Sequence, residues 1–153
     1  MEINLSVKDK NNLISYDYWS GGDYLKDTAD IQLLHANIEL SSNRSNGDYS
    51  LKVIRPSSSS GTSGIMIDFR ITEEDIGKQI SFSCDIYNPN NESYLQIYNG
   101  TYNSVTVPLN DDFYNYSISV PVSTVGYNNS VAFMRIKDVE QYFYIDNVSI
   151  TIQ

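Results

Sequence analysis

Period-two alternation runs through this chain and restricts its fold more than any other feature. Ile65, Ile67, Phe69 and Ile71 alternate with Met66, Asp68 and Arg70, and Ile80, Phe82, Cys84 and Ile86 alternate with Ser81, Ser83, Asp85 and Tyr87. Leu95 and Ile97 alternate with Tyr94, Gln96 and Tyr98, and Tyr116, Ile118 and Val120 with Ser117 and Ser119. Residues 51–54, 131–136 and 142–152 continue the series. Successive side chains of a strand point to opposite faces, so each run reads as a strand with one face in a core and the other turned outward. Turn formers separate the runs: Ser45-Asn46-Gly47-Asp48, Asn88-Pro89-Asn90-Asn91, Asn99-Gly100, Asn110-Asp111-Asp112 and Gly126-Tyr127-Asn128-Asn129. Strands with one polar face belong to antiparallel sheets. Many short strands at regular spacing give an all-β, two-sheet antiparallel β-sandwich of the jelly-roll kind.

The 153 residues suit one domain. Thr72-Glu73-Glu74-Asp75 is the one helical stretch, a single turn with a capping residue and acids at its positive end, stopping at Gly77. Residues 56–64, rich in serine, form a loop between strands and not a domain linker. No internal repeat is found.

Charge narrows the partners. Ten Lys+Arg against nineteen Asp+Glu leave a net charge of -9, which repels phosphate backbones and anionic membranes. Nucleic acid is therefore excluded as a partner, while divalent cations and neutral ligands fit. No apolar run is long enough to cross a membrane and no secretory signal is seen, so the expectation is one module of a larger multidomain chain. Cys84 is the only cysteine; no internal disulfide can form, and its strand context makes it a small core residue.

No catalytic constellation emerges. His35 is the sole histidine, which excludes a zinc site built on several histidines, and no Gly-x-Ser-x-Gly elbow is present. Gly61-Thr62-Ser63-Gly64 lacks the lysine of a phosphate loop. Glu73-Glu74-Asp75 and Asp111-Asp112 sit in turns, where solvated acids lack the apolar surroundings a glycosidase pair needs. Asn4, Asn43, Asn91, Asn99, Asn115, Asn128 and Asn147 begin Asn-x-Ser/Thr sequons, which a chain rich in Asn and Ser produces by chance.

Four segments carry a family resemblance. Asn12-Leu13-Ile14 followed by Trp19 opens it; Gly47-Asp48-Tyr49-Ser50-Leu51-Lys52-Val53 gives a Gly-x-x-Ser-Leu-x-Val pattern. Gly77-Lys78-Gln79-Ile80-Ser81-Phe82-Ser83 gives Gly-x-x-apolar-x-apolar-Ser, and residues 143–150 close with Asp146-Asn147-Val148-Ser149. In this order, across residues 12–152, the chain resembles the carbohydrate-binding modules attached to xylanases and glucanases, the group with a galactose-binding-like jelly roll. The resemblance implies a non-catalytic glycan-binding module at the cell exterior, a cell surface or a virion surface. Its parent would be a secreted enzyme, an adhesin or a viral tail fibre. The alternative is a structural or protein-interaction domain of a surface or viral tail protein with no sugar site.

Sugar rings present apolar C–H faces rimmed by hydroxyls, so a site for an oligosaccharide or polysaccharide needs aromatic platforms and planar polar groups. If Leu95 and Ile97 point inward, Tyr94, Gln96 and Tyr98 share the outer face; by the same rule Asp85 and Tyr87 share one. In the resembling modules the outer face forms a concave cleft. With Arg135 these residues make the expected lining. A second possibility is a loop-edge site of Trp19, Tyr24 and Tyr102, although a lone Trp is more often a core plug. The resemblance also implies a structural calcium ion where the closing strand meets the loop before Ser-Leu-x-Val. Asp146, Gly47, Ser50, Asp17 and Asp48 are the expected oxygen donors, since Ca2+ takes six to eight of them.

Overall fold

The computed structural model describes residues 2–5, 29–34, 36–44, 50–55, 63–90, 92–122, 129–136 and 141–153. Its strands are β1 (Glu2–Leu5), β2 (Ala29–Leu34), β3 (Asn37–Ser41), β4 (Ser50–Arg55), β5 (Ser63–Arg70), β6 (Gln79–Tyr87), β7 (Ser93–Tyr98), β8 (Tyr102–Val107), β9 (Tyr114–Pro121), β10 (Asn129–Ile136) and β11 (Gln141–Ile152). One sheet has the order β3-β4-β11-β6-β9, with β1 also on β11; the other has the order β2-β5-β10-β7-β8. All ladders are antiparallel. The chain is an all-β, two-sheet sandwich, as the alternation requires.

The core is the set of inward positions. Leu51, Val53, Ile80, Phe82, Cys84, Ile86, Phe143, Ile145 and Ile150 from the β11 sheet meet Ile65, Ile67, Leu95, Ile97 and Val107 from the β10 sheet, all at most 1% exposed. This fixes register. A one-residue slip of β6 would turn Ile80, Phe82, Cys84 and Ile86 to water together, at about 2 kcal/mol for each large apolar side chain. Cys84 is a core residue, as its context suggests, and burial pushes its thiol well above the ordinary value.

β11 keeps its apolar residues inward by a bulge. Asp146 pairs with Asp85 and Ser149 with Ser83, so β11 holds one extra residue between those pairs. Asn147 takes φ 53, in the left-handed region that Asn tolerates better than most residues. The inward set thereby shifts from Phe143 and Ile145 to Val148, Ile150 and Ile152, all buried.

The expected single turn is a 3-10 helix over Glu73–Asp75. The Thr72 N–H donates to Asp75 Oδ2 (2.9 Å) and Lys78 Nζ donates to Asp75 Oδ1 (3.2 Å). Gly77, at φ +88 where a side chain would be strained, ends it.

Two segments read as simple turns are crossovers between the sheets. The chain leaves β6, passes Asn88, and enters β7 of the other sheet; it returns from β8 to β9 past Asn110. The two asparagines tie these crossovers together. The Asn88 N–H donates to Asn110 Oδ1 (2.6 Å) and the Asn110 N–H to the Asn88 carbonyl (3.0 Å). Asn88 Nδ2 donates to the carbonyls of Val107 (3.2 Å) and Pro108 (3.3 Å), while Asn110 Nδ2 reaches the Ile86 carbonyl and Tyr116 Oη, each at 3.0 Å.

Candidate functional site

Tyr94, Gln96 and Tyr98 lie on β7, held between β10 and β8. Their neighbours Leu95 and Ile97 are fully buried, so the three turn to the outer face of the β10 sheet. Tyr94 and Tyr98 are half-buried and Gln96 is 9% exposed. Gln96 Nε2 donates to Ser104 Oγ on β8 (2.8 Å), which fixes the amide plane. The Tyr94 hydroxyl donates to Glu92 Oε1 (3.0 Å). The Tyr98 ring lies 4.8 Å from that of Tyr102 at a 46° tilt, and Tyr102 is 74% exposed. In register, Arg135 stands opposite Tyr94, Phe133 opposite Gln96 and Val131 opposite Tyr98. Tyr102, assigned from sequence to a loop-edge site, is thus an extension of the β7 set; Trp19 and Tyr24 lie outside the described residues.

Asp85 and Tyr87 do not join this set. They sit on β6, in the other sheet, with Ile86 buried between them, so their outward side is the opposite face of the molecule. The lining expected from sequence is divided: Tyr94, Gln96, Tyr98 and the register position of Arg135 on one face, Asp85 and Tyr87 on the other. The crossover at Asn88 is the cause, because it sends β6 and β7 into different sheets.

On that second face Tyr87 stacks on Tyr144 of β11, with centroids 5.4 Å apart and planes at 13°. Phe113 tilts against Tyr87 (5.8 Å), Tyr142 meets Tyr144 edge-on (5.9 Å), and Lys52 Nζ lies 4.4 Å from the Tyr142 centroid. Burial first, then the neighbouring Tyr142, Tyr87 and Glu39, raises the pKa of Tyr144 above the ordinary value and keeps its hydroxyl protonated. Asp85 accepts from Asn115 Nδ2 (2.9 Å) and Asn147 Nδ2 (3.4 Å). Tyr142 and Tyr144 were legible as outward residues, since they alternate with Phe143 and Ile145; Lys52 and Phe113 gain their meaning only from strand order.

Of the expected metal ligands, Asp17, Gly47 and Asp48 lie outside the described residues. Ser50 and Asp146 come together. Ile145 pairs with Leu51, so antiparallel pairing sets Asp146 beside Ser50 at the end of the β4–β11 ladder. Both are buried, Ser50 at 0% and Asp146 at 3% exposure, although alternation turns them from the core. The Ser50 hydroxyl donates to the Asn43 carbonyl, and the Asn147 N–H to Asp146 Oδ1 (2.9 Å). Among the described residues no three His, Cys, Asp or Glu side chains cluster.

Known proteins bear on this geometry through fold. No family model matches the chain, and no curated protein sequence matches it. Among solved structures, the enzymatically active domain of bacteriophage CBA120 tailspike protein 4 is similar at TM-score 0.62 and 10% identity, over 82% of this chain and 19% of that one. An exo-beta-agarase is similar at TM-score 0.62 and 12% identity, over 100% of this chain and 26% of that one. The C-terminal family 22 carbohydrate binding module of Clostridium thermocellum Xyn10B is similar at TM-score 0.53 and 15% identity, over 82% of this chain and 86% of that one. The chain spans about a fifth of the first, about a quarter of the second and most of the third. At these identities the likeness shows the fold, the jelly roll of such modules.

Proposed function

We propose that this chain is a non-catalytic glycan-binding module of a larger extracellular, cell-surface or virion-surface protein. The observation that carries the reading is the outward row Tyr94-Gln96-Tyr98 on β7, between β10 and the terminal β8, over fully buried Leu95 and Ile97. The two tyrosines stand about 13 Å apart along the strand, a span that suits a short oligosaccharide. Between them Gln96, oriented by Ser104, supplies a fixed amide for sugar hydroxyls. Solved carbohydrate binding modules of the same fold support the reading by analogy.

The second outer face is the weaker site. Its aromatic surfaces are engaged with one another and with Lys52, leaving less flat ring for a sugar. Arg135 is proposed to assist at the β10 side of the Tyr94 row.

A structural calcium ion at Asp146 and Ser50 belongs to the same proposal. Hard oxygen donors fit the ion. Asp146 is buried beside Ser50 at the end of the β4–β11 ladder, which would bring a carboxylate and a hydroxyl oxygen to one ion.

A glycan array run with and without chelator finds the ligand, and isothermal titration then compares wild type with Tyr94→Ala and Tyr98→Ala. Each loss should weaken binding about tenfold or more, with the melting temperature little changed. Unchanged affinity in both variants rejects this face.

A further inference from the structure

We propose that β8 is an interface strand through which two copies of this chain pair edge to edge, antiparallel, about a two-fold axis. Beyond the glycan-binding reading, this assigns a self-association surface. Among the described residues β8 ends its sheet, with β7 as its pairing partner. Ser104 and Thr106 are exposed and Tyr102 is 74% exposed. Val105 packs against the core yet is only half-buried, because the sheet ends beside it.

An uncovered edge presents unpaired N–H and C=O groups, and proteins normally blunt such strands with charge or proline. The other sheet-terminal strands follow that rule: β2 contains Asp30, β3 contains Glu39 and β9 ends in Pro121. β8, Tyr-Asn-Ser-Val-Thr-Val, has neither device. Its surroundings share the property. No charged residue occurs between Glu92 and Asp111, or between Asp112 and Arg135, so β8 and β9 are themselves charge-free in a chain of net charge -9, the exposed Asp111 and Asp112 lying at the end of this flank where the two strands connect.

That neutrality selects the occupant. Two copies of an acidic chain repel unless charge-free surfaces meet, and this flank is where they can. Antiparallel pairing of β8 with itself is self-matching: Val105 opposite Val105 covers the apolar surface that the sheet end leaves open, and Ser104 lies opposite Thr106. A two-fold interface of this kind uses the same patch on both copies. It would continue the β10 sheet from one copy into the next and carry both Tyr94-Gln96-Tyr98 rows on one side, which adds avidity for a long ligand.

Sedimentation equilibrium of the full chain over a wide concentration range, at low and high NaCl, tests this. The expected result is a concentration-dependent dimer that strengthens with salt, because screening weakens the repulsion between acidic copies. Thr106→Glu places a carboxylate on an exposed edge position without disturbing the core, and Val105→Glu places one at the centre of the pair. Each should raise the dimer dissociation constant about tenfold or more; if Val105→Glu fails to fold, Thr106→Glu decides. A chain that stays monomeric at every concentration and both salt levels overturns the proposal. So does a dimer that salt dissociates, or one that Thr106→Glu leaves unchanged.

Discussion

The two outer faces of this sandwich are both rich in tyrosine and use it differently. On the β11 sheet the rings come from neighbouring strands: Tyr87 of β6, Tyr142 and Tyr144 of β11, and Phe113 before β9, packed on one another with Lys52 over Tyr142. On the β10 sheet Tyr94 and Tyr98 are spaced along a single strand with an amide between them, and Tyr98 meets the exposed Tyr102. Cross-strand neighbours and the two-residue step from Tyr142 to Tyr144 bring rings together, whereas the four-residue step from Tyr94 to Tyr98 keeps them apart. A count of aromatic residues therefore says little about a binding face; the direction in which they are distributed says more.

The comparison can be broken at several points. Asn88→Ala should have the largest effect, because it strips the buried carbonyl of Val107 and the partly buried carbonyl of Pro108 of their donor in the crossover that holds the two faces in place. We expect a loss of about 2–3 kcal/mol in urea unfolding. A loss below about 0.5 kcal/mol would mean that the crossover latch is dispensable.

Tyr144→Ala removes the centre of the packed cluster. It should cost about 2 kcal/mol, at roughly 0.5–1.5 kcal/mol for each ring contact, with glycan affinity unchanged. Lost affinity at retained stability would move the site to this face. Lys52→Ala should cost no more than about 1 kcal/mol, the usual range for a half-exposed cation over a ring. The same denaturation curve reads it.

The smallest effect lies on neither face. Burial alone would raise the Asp75 pKa, but the Thr72 N–H, the Lys78 ammonium and the Thr72 hydroxyl outweigh it and hold the pKa below 3.8. A depressed carboxylate contributes stability above its unfolded pKa and loses it as pH falls through the folded value. Asp75→Asn should thus cost a few tenths of a kcal/mol at neutral pH. Thermal melts should show that gap closing on acidification below pH 3.8.

The fold was legible because burial imposes period two, which Ile80 to Ile86 obey without exception and which β7 breaks only at the buried Gln96. β8 was not, since an edge strand buries little: only Val105 and Val107 in Tyr102–Val107 mark it as a strand. Half of the site was legible for the same reason as the core. Alternation gives the side of a strand but not the sheet to which it belongs, so it groups Asp85 and Tyr87 with Tyr94 although the buried Asn88 separates them. Asn147 is a different case: the sequence shows the residue, but only the bulge explains why an Asn suits that place.

The position of β11 has a consequence for how the molecule comes into being. This last strand is the middle of its sheet, flanked by β4, β6 and β1. Until residues 141–152 have left the ribosome, β4 and β6 have no strand to join them, and Phe82 and Leu51 lack their in-sheet neighbours Ile150 and Ile145. The sandwich therefore stays open, with apolar surface uncovered, until this strand is in place, and a deletion within residues 141–152 should prevent the sheet from closing.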